Sequence, residues 1–208
     1  MKAVTTVIST VMMAGILIAL VGTAYMWGAP LISKRTVMTE FSTAENFLTD
    51  LDESIKEIVN TKSGEESLDI PMGFVKVVPH ELGDQIGTNN ITIELVSDQK
   101  MLFEETTVYL GGASFDIIKE TGTYGKAEPG IKTLSMEALP SRFKMVLNLH
   151  YRELDTNTKG YKIAINDGGQ VKTGGKRVIV SYDSTDTIEG AASNGGDLIV
   201  TYINVEVV

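Results

Sequence analysis

The residues best suited to acid–base or metal chemistry are the two histidines, His80 and His150, which lie seventy positions apart with no HExxH or similar companion. A histidine without such a pattern reads as a surface or loop residue before it reads as a ligand. Cysteine is absent, which excludes disulfide frameworks, thiol catalysis and thiolate metal sites. Ser114 follows Gly111, Gly112 and Ala113 but lacks the GxSxG elbow that exposes a serine nucleophile. The segment from Gly169 to Arg177 imitates a phosphate loop and fails as one. Gly175 stands where the phosphate-binding lysine is needed, and no Ser or Thr follows Lys176. Oxygen ligands for calcium occur at Asp183-Ser184-Thr185-Asp186-Thr187 and at Asn166-Asp167, neither in an EF-hand pattern. The expectation is a protein with no catalytic residue, no cofactor and no metal site. Asn90-Ile91-Thr92 is an N-glycosylation sequon in a stretch that reads as a turn.

With chemistry so sparse, the distribution of charge carries more information. The chain has 208 residues, 27 acidic and 18 basic, for a formal net charge of -9. Nucleic acid is excluded as a main partner, because phosphate binding needs clustered Lys and Arg and here they are scattered singly. The stretch from Val4 to Ser33 contains no Asp, Glu, Lys or Arg at all. Two unlike parts follow from that split, one apolar element and one domain of ordinary size.

As a helix the uncharged stretch would run ~45 Å, against a hydrocarbon thickness of ~30 Å. Its first third, Val4 to Thr10, is rich in hydroxyls, and Val11 to Ala29 is the apolar centre. Ala14, Gly15, Ala19, Gly22, Ala24 and Gly28 recur within it as small residues that permit close helix–helix packing. A plain single-span anchor explains the apolarity but not the excess length. A cleaved secretory signal fits worse, because the apolar region is about twice the usual ~7–15 residues and Tyr25, Met26 and Trp27 crowd the would-be cleavage site. Tyr25 and Trp27, beside Pro30 and the Lys34-Arg35 pair, suit a membrane–water boundary.

Beyond Pro30 the periodicity predicts that the helix continues, with a kink at the proline. Val37, Phe41, Ala44, Leu48, Leu51, Ile55 and Ile58 form an apolar stripe at spacings of three and four. Glu40, Glu45, Asp50, Asp52, Glu53, Lys56 and Glu57 fall between them and read as a solvated face. Asn60-Thr61-Lys62-Ser63-Gly64 supplies the stop.

After Gly64 the pattern changes to alternation. Strands are predicted at Ile91–Val96, Thr107–Leu110, Phe143–Tyr151, Tyr161–Ile165, Arg177–Tyr182 and Leu198–Val208. Glycine-rich polar turns separate them, among them 87–90, 155–160, 166–169, 173–175 and 193–196. The fold class expected is α+β: a long hydrophobic and amphipathic helix over 1–63, then a β-rich head over 64–208 built as an antiparallel β-sandwich or barrel. The last strand is so apolar that it must be central or covered.

The order of these features resembles the N-terminal domain of archaeal type IV pilins. Lys2-Ala3-Val4-Thr5-Thr6-Val7-Ile8-Ser9-Thr10, followed by Ala24-Tyr25-Met26-Trp27-Gly28, carries the resemblance, over about the first 35 residues. It implies a class III signal cut by a prepilin peptidase between Ala3 and Val4, before the apolar segment rather than after it. Ile8 stands where bacterial pilins carry a glutamate. A membrane-stored precursor, an assembly ATPase and platform protein, and homopolymerisation into a cell-surface filament for adhesion are implied with it. Ala14, Gly15, Ala19, Gly22 and Gly28 become the helix-packing positions of that filament. The competing expectation is an anchored surface module that does not polymerise, including a stator-like accessory of the archaeal motility filament.

Overall fold

The computed structural model describes residues 2–80, 88–98, 107–110, 121–166 and 172–208, with side chains in the first helix from Ser9 onward. One helix, α1, runs over Lys2–Thr61 and continues through Pro30. It ends where the sequence expects, but by a different residue. Lys62 itself takes a left-handed backbone, φ 51°, ahead of Gly64 at φ 100°. A left-handed residue after the last turn is the usual way to close a helix, and glycine is the cheaper occupant.

Twelve strands follow among the described residues: β1 (Glu65–Asp69), β2 (Phe74–Val78), β3 (Asn90–Ser97), β4 (Val108–Tyr109), β5 (Thr121–Thr123), β6 (Gly130–Ala138), β7 (Phe143–Tyr151), β8 (Glu153–Asp155), β9 (Lys159–Asn166), β10 (Lys172–Thr173), β11 (Arg177–Ile188) and β12 (Asp197–Val207). They form two six-stranded sheets, ordered β1-β11-β12-β9-β8-β5 and β10-β2-β3-β7-β6-β4. All pairings in the second sheet are antiparallel. The first is mixed, which corrects the expectation of a purely antiparallel head: β12 pairs with β9 in parallel, as does β5 with β8. The chain leaves β9, adds β10 to the other sheet, and returns as β11 and β12, so β9 and β12 are joined by the kind of crossover that parallel neighbours require. β12 is central, flanked by β11 and β9.

By compactness the chain divides into Met1–Glu40 and Phe41–Val208. The change from helix to strand lies near residue 63, whereas this division falls inside α1. The first unit is helix alone. The second contains the last turns of α1 and both sheets, and nearly every buried apolar residue belongs to it. Ala44, Leu48, Leu51, Ile55 and Ile58 of the predicted stripe are almost fully buried, joined by Phe47. From the sheets come Val75, Val77, Ile91, Ile93, Met145, Leu147, Leu149 and Tyr151, and from the first sheet Val178, Val180, Ile203 and Val205.

Asn89 ties the two sheets. It is fully buried with φ 57°, a conformation asparagine tolerates better than most residues. Its Nδ2 donates to the carbonyls of Tyr151 at 3.1 Å and Ile163 at 2.8 Å, while Oδ1 accepts from the amide of Ile165 at 2.9 Å. One side-chain amide thus satisfies backbone groups at the end of β7 and in β9, where no strand pairing could.

Candidate functional site

The most prominent surface is the N-terminal part of α1. From Val11 to Ile32 the large apolar side chains are 57–77% exposed, Leu17 being the least and Trp27 the most. Among the described residues this is one helix long and apolar enough to cross a membrane. Thr23 donates its hydroxyl to the carbonyl of Ala19 at 2.8 Å, so the one threonine at the centre of the apolar stretch is satisfied within the helix. That removes the cost of placing it in apolar surroundings. Pro30 cannot donate to the carbonyl of Met26. The carbonyl without its usual helical donor therefore sits about two turns before Lys34 and Arg35, toward the end of the stretch rather than in its middle.

A Cβ built on Gly15, Gly22 or Gly28 would meet nothing within 4 Å. At about 100° per residue, Gly15, Ala19, Gly22 and Ala29 share one helix face, and Ala14 and Gly28 lie together on a neighbouring one. The predicted packing positions therefore make two adjacent lines of small residues, not one. Ala3 and Val4 fall in the first turns of α1, whose side chains lie outside the described residues.

Deeper in the second unit is a charge cluster that counting acidic residues missed. Asp52 is 1% exposed, which corrects its assignment to a solvated face. It accepts from the hydroxyl of Tyr151 at 3.1 Å and pairs with Lys56 at 2.9 Å and Lys132 at 3.2 Å. Lys56 also pairs with Glu128. Burial alone would lower the Lys56 pKa, but its bonds to Glu128 and Asp52 outweigh that and hold it above the ordinary value. Burial and the adjacent Asp52 carboxylate push the Tyr151 hydroxyl well above the usual tyrosine range. The cluster pins the Asp52 carboxylate, the two lysines and the tyrosine hydroxyl against one another, joining α1 to β6 and β7. Its sequence signal was spacing: Asp52 follows Leu48 by four and precedes Ile55 by three, which places an acid on the edge of the apolar stripe.

A cavity of about 440 Å³ opens between the last turns of α1 and the first sheet. Leu154, Ile163 and Thr201 form its buried floor, and Lys62, Asn60 and Glu128 stand at its rim. Tyr124 and Tyr161, also in its lining, pair with ring centroids 4.4 Å apart and planes tilted by 31°. No family model, no curated protein and no solved structure matches the chain.

The remaining sequence candidates do not converge. Among the described residues, no three of His, Asp and Glu come together as a metal site would need. Asn166 donates to Asp183 at 2.9 Å, so the two calcium candidates meet, but with an amide donor facing the carboxylate. Asp167, Ser114 and the first residues of the mock phosphate loop lie outside the described residues. His150 sits in β7 opposite Asn90 and Ile131. Asn90 opens β3 rather than a turn and is 8% exposed, so its amide lacks the open surface that a glycan would need.

Proposed function

We propose that the chain is the structural subunit of an extracellular filament of the archaeal type IV pilus kind, with a role in surface attachment. The uncovered apolar surface of α1 from Val11 to Ile32 carries this reading. An uncharged helical run of ~45 Å exceeds what a ~30 Å bilayer uses, and identical neighbouring helices can replace lipid around it. The subunit is held in the membrane before assembly and cut between Ala3 and Val4 by a prepilin peptidase. An assembly ATPase and platform protein then draw it into a homopolymer, the helix exchanging one apolar solvent for another. Such head-to-tail contacts are heterologous and do not close, which is the geometry of a filament.

The second unit is the head, read as a β-sandwich in which apolar residues of both sheets share one core. The approach of β7 to β9, and of β2 and β10 to β12, supports that description. No step of this function is catalytic. Tyr25, Trp27, Lys34 and Arg35 favour a second reading, a subunit permanently anchored at the membrane boundary that never polymerises, such as a stator-like accessory of the archaeal motility filament. Electron microscopy of fibres sheared from the cell surface, with mass-spectrometric identification of their subunit, separates the two. Fibres built of this chain support the filament, and its confinement to the membrane fraction under all growth conditions overturns it.

A further inference from the structure

We propose that the cavity beneath the C-terminal end of α1 binds a sugar ring bearing a carboxylate, a hexuronate in chemical terms. Three features converge there. The volume, about 440 Å³, lies within the range of small-molecule sites, and a buried apolar floor under a polar rim is their common construction. Tyr124 is 53% exposed although Tyr161 covers one side of its ring, which leaves an aromatic surface open for a sugar to stack on. Its backbone is fixed, because the Tyr124 amide donates to the Asp155 carbonyl at 2.9 Å and Tyr161 is held in register between Leu154 and Ile199. Asn60, Glu128 and Thr201 offer donors and acceptors for ring hydroxyls.

Lys62 gives the site its charge preference. Of the three lining lysines, Lys56 is already committed to Asp52 and Glu128 and Lys162 is buried and engaged within the fold, whereas Lys62 is exposed and has no acidic partner among the described residues. It also holds a left-handed backbone that a residue with a Cβ adopts reluctantly and that glycine would adopt freely. A helix stop alone would be served better by glycine. The lysine at this position places a cation at the rim of a cavity that has an aromatic wall, in a chain of net charge -9.

The test uses the full chain in detergent micelles and needs no filaments, so its outcome is independent of the filament reading. Binding of a glucuronate-terminated disaccharide and of its glucose counterpart is followed by calorimetry and by chemical shifts of labelled tyrosine. The acidic sugar is expected to bind at least tenfold more tightly, with shifts at Tyr124 and Tyr161. Tyr124→Ala is expected to weaken it at least tenfold. Lys62→Gly is expected to abolish the preference for the acidic sugar while leaving the melting temperature equal or higher, since glycine suits the backbone there. Absence of binding by both sugars at 10 mM overturns the proposal. So does equal affinity for the two, or wild-type binding by either variant.

Discussion

A carboxylate at 1% exposure survives only when its partners replace the water it has lost, and Asp52 has three of them in Tyr151, Lys56 and Lys132. Asp52→Ala leaves the buried Tyr151 hydroxyl and two lysines without their shared acceptor and is expected to cost about 3–5 kcal/mol. Tyr151→Phe removes one neutral donor and is expected to cost about 1–2 kcal/mol. Urea unfolding of both variants checks the order, and a smaller loss for Asp52→Ala would remove the cluster from its place as a fastener of α1. Asp155 offers a pH dependence of opposite origin. Burial, then the hydrogen bond and charge of neighbouring Glu153, raise it from 3.8 to about 6. The folded chain therefore binds this proton more tightly than the unfolded chain, and stability is lost as pH rises through that window. The melting temperature is expected to fall between pH 4 and pH 7, and to fall less in Asp155→Asn. Neither the Asp52 cluster nor the Asn89 link was read from the sequence. Asp52 had a signal in its spacing, whereas the partners of Asn89 at Tyr151, Ile163 and Ile165 are set by tertiary structure alone.

At the level of elements, Gly22 probes the apolar part of α1. Gly22→Leu favours insertion into lipid but holds neighbouring backbones apart. The expected result is an unchanged membrane pool with fewer filaments, and a wild-type filament yield would show that no close helix contact occurs at this position. The helix was legible because two periodic signals, an uncharged run and a three-four stripe, extend over many residues. β7 was legible to the residue, since Phe143–Tyr151 alternates cleanly and both its neighbours are strands. β6 was not, because Lys132 shares the face of Leu134 and Met136 and leaves the apolar alternation only two residues long. β1 is an edge strand in which Leu68 is the one large apolar residue, so it has no buried face to announce it. The parallel entry of β12 beside β9 was illegible for a further reason. Alternation has the same period whichever way the neighbouring strand runs.

For the molecule as a whole, the two compact units make separable demands on solvent. The buried core, apart from Val37, lies within Phe41–Val208, and charge and turn residues dominate from Thr36 onward. Removal of Met1 to Arg35 is expected to yield a soluble, monomeric, β-rich fragment by circular dichroism and size-exclusion chromatography. An unfolded aggregate would mean that the second unit depends on the first. Ala29→Asp then distinguishes a filament from an anchor. Ala29 lies near the end of the uncharged run, five residues before Lys34. In an anchor that position reaches the wet headgroup region, where one carboxylate is tolerated. In a filament it shares the small-residue face of Gly15, Ala19 and Gly22, and an unpaired charge there costs several kcal/mol in every copy. The measurement compares the membrane-bound subunit with that recovered in sheared fibres, for wild type and variant. The filament reading requires an equal membrane pool and a loss of fibres in the variant, whereas equal fibres in both would place residue 29 outside any shared helical core.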